Sequence, residues 1–260
     1  MAGTDLTDAL IGYTGFVGGM LHRQHHFGAL FNSRNIEQVK GGQFDNVVCA
    51  GVSAVKWLAN KEPDADWSGI RRLMDCLEHI VARHFVLIST IDVYRDPAGP
   101  TEFDAPPIEG LHPYGRHRLA LEAFVSERFA SHSIVRLPAL FGTGLRKNAL
   151  YDLMHLNQVE RIVPNAMFQW YPLSRLTSDL RRIKDAGMPL INITSAPISM
   201  EDIRTRFFRD VQIGQPIETP PHYDVRSVYD TLLGGHNGYH LDAAEVWRAM
   251  GAFVADPAAQ

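Results

Sequence analysis

Residues 9–18 read ALIGYTGFVG, and the fold of the chain turns on how this stretch is read. Three apolar residues lead into Gly12, Gly15 and Gly18, and a helical pattern continues through Met20 and Leu21, so the stretch reads as strand, tight turn and helix. A turn of this kind lets a pyrophosphate approach the backbone and packs the helix close to the sheet. It also aims the helix N-terminus, with Phe16 and Val17 in its first turn, at an anion. In a dinucleotide site an acidic residue about 20 positions after the first glycine takes the adenosine ribose hydroxyls and favours NAD. Here that position is Asn32, followed by Ser33 and Arg34 in LFNSRN. A guanidinium offers forked donors to phosphate oxygens, so this triplet points to NADP. The alternative is NAD, with Asn32 on the ribose and Arg34 in solvent.

Outward from the turn, strands and helices alternate. DNVVCAG at residues 45–51 is an apolar run suited to a strand buried on both faces of a parallel sheet. From residue 67 to about residue 84, Ile70, Leu73, Met74, Leu77, Ile80 and Val81 recur at spacings of three and four, which predicts an amphipathic helix. FVLISTI at 85–91 is a second buried strand. A Pro- and Gly-rich loop follows, then a helix from about Tyr114 to Ala130 and the strand SIVRLPALFG. The order argues for an α/β protein with a Rossmann-type, doubly wound parallel sheet. Beyond Gly144 the pattern changes to a helix in KNALYDLMHLN, then FQWYPLSRL, a helix around SDLRRIKDAG, the strand PLINIT and a tail rich in Pro, His and Gly. The expected division is a dinucleotide-binding domain of residues 1–145 plus 166–196 and a small substrate cap of 146–165 plus 197–260. The short segment between Gly28 and Asp45 predicts a trimmed helix there.

Composition narrows the function classes. With 260 residues, 45% apolar and 21% charged, the chain can build a real core and is no disordered segment. Its formal charge of −4, without a long like-charge block, argues against a nucleic-acid partner. Cys49 and Cys76 lack CxxC spacing and read as reduced core thiols. His22, His25 and His26 have no third ligand at metal spacing, so no metal site is expected. No basic region precedes the first apolar run, and no apolar stretch approaches the roughly 18 residues that span a bilayer. These features predict a cytoplasmic protein with no membrane partner.

The motifs GYTGFVG (12–18), CAG (49–51), LISTIDVY (87–94), PYGRHRLALE (113–122) and VRLPALFG (135–142), in this order, carry a family likeness. The chain resembles the extended short-chain dehydrogenase/reductase superfamily, in its NAD-dependent epimerase/dehydratase branch that acts on nucleotide sugars. The resemblance implies an NAD(P)-dependent oxidoreductase or epimerase acting by hydride transfer. Thr90, with Ser89 beside it, falls on the family's strand-end hydroxyl, and Tyr114 on its catalytic tyrosine. Cys49, Ala50, Gly51, Ser89 and Pro138 fall on cofactor-contacting positions, and Thr90 and Asp92 on the substrate side.

The chemistry itself asks for such residues. Hydride transfer at a carbinol carbon needs a group to exchange the hydroxyl proton. A tyrosine must be shifted by about three pKa units to do so near neutrality, roughly 4 kcal/mol, and a fixed cation is the obvious source. The family places a lysine four residues after the tyrosine, one helical turn on. This sequence has Arg118, which keeps the charge but is planar and bulkier and never loses its proton. Altered chemistry, weakened chemistry and a non-catalytic dinucleotide-binding regulatory or scaffold protein are the readings this leaves open. In the expected cap, Arg146, Lys147, Asn148 and Arg175 are candidates to meet a diphosphate. A homodimer is expected from the resemblance and from the helices 67–84 and 114–130, which carry apolar residues on more than one face.

Overall fold

The computed structural model describes residues 6–256. The outermost residues of the expected domains, 1–5 and 257–260, and with them the start of the segment read for a leader, lie outside it. The glycine turn joins β1 (Thr7–Ile11) to α1 (Phe16–Gln24), as the sequence indicates. Then come β2 (Ala29–Phe31) and a 3-10 turn at Ile36–Val39 where a full crossover helix is missing. β3 (Gln43–Cys49), α2 (Lys56–Lys61), α3 (Pro63–Leu77), β4 (Val81–Thr90), α4 (Pro113–Arg128) and β5 (His132–Leu137) follow. Later elements are β6 (Ala139–Phe141), α5 (Ala149–His155), β7 (Met167–Phe168), β8 (Trp170–Pro172), α6 (Leu176–Asp185) and β9 (Leu190–Asn192). The chain ends with β10 (Ile198–Ser199), α7 (Met200–Phe207) and α8 (Ala243–Val254).

The main sheet has the order β2-β1-β3-β4-β5-β9. β1 pairs in parallel with both β2 and β3, and β3 with β4. Ile11, Cys49 and Leu87 form one row across the middle of the sheet, so Gly12, Ala50 and Thr90 all lie beyond its C-terminal edge. The strand order reverses between β1 and β3, and an open α/β sheet leaves a ligand crevice at such a point.

Two expected boundaries move, for identifiable reasons. The helix expected to run to about residue 84 stops at Leu77, because Val81 and His84 pair with Gln43 and Asn46 of β3 and the strand begins there. At its other end, Pro63 starts the helix four residues early, a position where its missing N–H costs nothing. The expected strand SIVRLPALFG breaks at Pro138 into β5 and β6, and β6 leaves the main sheet to pair with β8.

The chain forms two compact units. The first holds residues up to Arg95, Ala105–Arg136 and Thr177–Ile191; the second holds Asp96–Asp104, Leu137–Leu176 and the residues from Asn192 onward. The division therefore falls at Arg136 rather than at residue 145, and 166–176 lie in the second unit. The first unit is built on a buried apolar cluster including Ile11, Val47, Cys49, Leu77, Phe85, Leu121 and Val125, with Phe85 and Phe129 stacked at 4.2 Å. The second centres on Phe141, Leu150, Trp170, Tyr171, Val246 and Met250, all almost fully buried. Its tail, rich in Pro, His and Gly, carries α7 and α8, for which the sequence reading named no element. Asp242 and Glu245 form a reciprocal capping box that starts α8.

Candidate cofactor and active site

The three glycines of the turn have three different jobs. Gly12 has φ of +90°, and a Cβ there would lie 2.4 Å from the Ala50 carbonyl oxygen, so the turn after β1 and the turn after β3 are in contact. A Cβ on Gly18 would lie 2.1 Å from the Gly12 oxygen, which is how α1 packs down on the turn. Gly15 is exposed and precedes α1; a Cβ there would meet only the Gly12 oxygen, at 3.3 Å. No side chain caps α1. Its first-turn N–H groups at Phe16 and Val17, beside Gly15, which has no side chain to block approach, are therefore a cradle that fits a dinucleotide pyrophosphate.

At the end of β2 the loop is organised by its own amides. Asn32 N–H donates to Asn35 Oδ1 at 2.6 Å, Arg34 N–H donates to Asn32 Oδ1 at 2.9 Å, and Asn35 Nδ2 donates to the Leu30 carbonyl. Asn32 thus spends its acceptor on the loop, while Ser33 and Arg34 face solvent. Cys49, expected at the cofactor, is instead wholly buried in the core, and burial pushes its thiol up to about 11. The half-buried Ala50 and the exposed Gly51 stand at the crevice.

Thr90 and Tyr114 are brought together, close enough for the threonine hydroxyl to favour the charged form of the phenol slightly. Tyr114 is held at the start of α4 by its own N–H, which donates to Asn60 Oδ1 at 3.0 Å. The helix start is capped by His112, whose Nδ1 accepts from Gly115 N–H at 3.0 Å. Burial holds His112 below its ordinary pKa, in the neutral form that this bond requires. Burial also pushes the Tyr114 phenol up, to about 12; Arg118 opposes the shift but does not cancel it. Asp92 donates its N–H to Thr90 Oγ1, and its carboxylate accepts from Lys56 Nζ at 2.7 Å. Lys56, at the start of α2, is a cation that the sequence reading did not single out.

Ser89 does not face the cofactor side as expected. Its hydroxyl donates to Glu122, which pairs with Arg136 at 2.6 Å, and Arg136 in turn donates to the Tyr94 hydroxyl at 2.8 Å. The cluster is buried between β4, β5 and α4. Arg118 is likewise committed within the protein. Its Nη1 and Nη2 donate to the two carboxylate oxygens of Asp66 at 2.6 and 2.8 Å, a bidentate pair. Nη2 also donates to the Ser53 carbonyl at 2.6 Å and Nη1 to the Tyr114 carbonyl at 3.1 Å. The guanidinium carbon lies 3.9 Å from the centre of the Tyr114 ring, over its face rather than beside its hydroxyl. A cofactor ribose would have to compete with these partners for Arg118. Burial would raise the Asp66 carboxyl, but Arg118 and His117, whose Nδ1 lies 2.8 Å from it, more than offset this and hold it low. Asp66 and His117 carried no signal in the sequence, because the pair forms only once α3 and α4 pack together.

The remaining candidates lie in the second unit. Asn148 caps α5 with Oδ1, which accepts from Tyr151 N–H, and its Nδ2 donates to the Leu140 carbonyl, so its side chain is occupied. Arg175 donates to the Leu233 carbonyl and approaches Glu245 at 3.9 Å. Arg146 and Lys147 are exposed, and Pro138 is buried. No helix among the described residues is long and apolar enough to cross a membrane.

Comparisons with known proteins bear on the family and the fold. A model of the NAD dependent epimerase/dehydratase family matches residues 20–166. No curated protein matches the sequence significantly. Among solved structures, dTDP-4-dehydrorhamnose reductase from Bacillus anthracis, in complex with NADP, superposes with a TM-score of 0.72 at 18% identity, covering 92% of this chain and 95% of that one. The orthologous reductase from Clostridium acetobutylicum gives 0.69 at 18% identity, over 89% and 94%. UDP-glucose 4-epimerase from Thermotoga maritima, with UDP-glucose, gives 0.61 at 14% identity, over 84% of this chain and 89% of that one.

Proposed function

From the premise that the chain belongs to the NAD dependent epimerase/dehydratase family, we propose that it is an NADP-dependent enzyme that reduces a keto group on a nucleotide-activated or related sugar. The observation that carries this reading is the Thr90–Tyr114 hydroxyl pair at the sheet edge that also bears the glycine cradle. Gly15, Phe16 and Val17 would hold the pyrophosphate by backbone, and Ser33 and Arg34 the ribose phosphate. The bound nicotinamide would supply the hydride. Tyr114, kept protonated by burial, donates its proton to the substrate oxygen as that oxygen gains negative charge, and Thr90 hydrogen-bonds the same oxygen. A phenol held up at about 12 is protonated near neutrality and so carries the proton to be donated. Arg146 and Lys147, exposed in the second unit, are the candidate cations for the diphosphate of a nucleotide sugar.

The test is NADPH consumption with a dTDP-4-keto-6-deoxyhexose and with a panel of UDP-hexoses, run beside NADPH binding followed by fluorescence. Turnover that vanishes in Tyr114→Phe while NADPH still binds supports the reading. One observation favours the alternative of a non-catalytic dinucleotide-binding protein: Arg118, at the family's lysine position, is tied to Asp66. Tight NADPH binding without oxidation across the panel would decide for that alternative.

A further inference from the structure

The turn at residues 51–55 borders the cofactor crevice, since the Gly12 Cβ position abuts Ala50 and Gly51. Between residues 51 and 58 no side chain is fully buried, and Val52 packs part-buried against the core. Polar ties hold the rest of the segment. Ser53 carbonyl accepts from Arg118, Lys56 pairs with Asp92, and Asn60 accepts from Tyr114 N–H. Of the three cationic or amide side chains involved, Arg118 alone is fully buried, at 4% exposure, and Asp66 fixes its orientation through both oxygens.

We propose that Arg118 is a positioning residue for the dinucleotide: its guanidinium fastens the 51–55 turn to the start of α4 and so shapes the crevice wall that the cofactor meets. This rests on the cofactor reading above. It assigns position 118 a different job from that of the lysine it replaces. Lysine could not take the job back. An ammonium is a single point donor on a flexible stem, whereas engaging two carboxylate oxygens and two carbonyls together needs a planar fork. Charge is thus the lesser part of what Arg118 supplies, and geometry the greater.

The test uses NADPH as the probe on wild type, Arg118→Lys, Arg118→Met and Tyr114→Phe, with amide hydrogen exchange measured on the same proteins. The expected result is at least a tenfold rise in the NADPH dissociation constant in both Arg118 variants, with Lys no better than Met. Amide exchange at 52–55 should quicken in both while α3 and α4 stay protected, and Tyr114→Phe should change neither. Wild-type affinity in Arg118→Lys would overturn the proposal, because charge alone would then suffice. Loss of protection throughout α3 and α4 would also overturn it, by showing that Arg118 merely holds the helices together. If the wild-type protein binds no NADPH, the cofactor reading fails by itself. In that case quickened exchange at 52–55 without change in α3 and α4 still establishes the fastening of the turn, and unchanged exchange there removes it.

Discussion

At the residue scale, Gly15 and Gly18 separate binding from folding although they sit three positions apart. Gly15→Leu places its side chain where the turn is open, so the protein should fold and lose most NADPH affinity, as fluorescence titration would show. Gly18→Val forces a Cβ to 2.1 Å from the Gly12 oxygen, and its cost should appear as a lowered thermal midpoint instead. Arg34 tests cofactor choice. Removing one charge-assisted contact costs about 1.5–3 kcal/mol, so Arg34→Ala should weaken NADPH roughly ten- to a hundredfold and leave NADH little changed. Equal losses for both would assign Arg34 to solvent and return the site to NAD.

At the element scale, the junction of α3 with α4 should be acid-sensitive. Asp66 titrates below its ordinary value in the fold, so the stability it contributes is complete above the unfolded carboxyl pKa and is lost as pH falls through the folded one. Amide exchange in α3 and α4 should quicken only in strong acid, and Asp66→Asn should remove that dependence. In the second unit, His240 behaves similarly in a milder range. Burial holds it down to about 4 from 6.5, and its Nδ1 accepts from Thr194 N–H at 3.2 Å, which requires the neutral ring. A lowered histidine stabilises fully above its unfolded pKa and loses that contribution as pH falls toward the folded one. Between pH 6.5 and about 4 the loss should reach about 3 kcal/mol. Urea melts in this range should show it, and His240→Gln, less stable at neutral pH, should lose much of the slope.

At the scale of the whole molecule, the open question is a partner. Trp67 and Met74 on α3, and Leu119 and Phe124 on α4, remain only partly buried in the single chain. We expect α3 and α4 to cover these residues by pairing with a second copy. Light scattering at micromolar concentration should then return twice the chain mass, and Phe124→Glu should return the monomer. A wild-type monomer would refute the pairing.

The Rossmann order was legible in the chain because its signals are local: glycines between an apolar run and a helical pattern, then apolar runs alternating with amphipathic ones. The spacing of Thr90 and Tyr114 was legible through the family likeness. The capping box at Asp242 and Glu245 was also written locally, as DAAE before an apolar pattern, and the sequence reading passed over it. What no local pattern carried were the partners. Val81 and His84 fit a helix until β3 offers them a strand, and Ser89 reads as a site residue until Glu122 takes its hydroxyl. Arg118 reads as a free cation until α3 brings Asp66 to it. In each case the deciding neighbour lies more than thirty residues away along the chain. Long-range hydrogen bonds and ion pairs form only once the strands and helices have packed, so tertiary structure alone decided whether a polar side chain here serves the site or the scaffold.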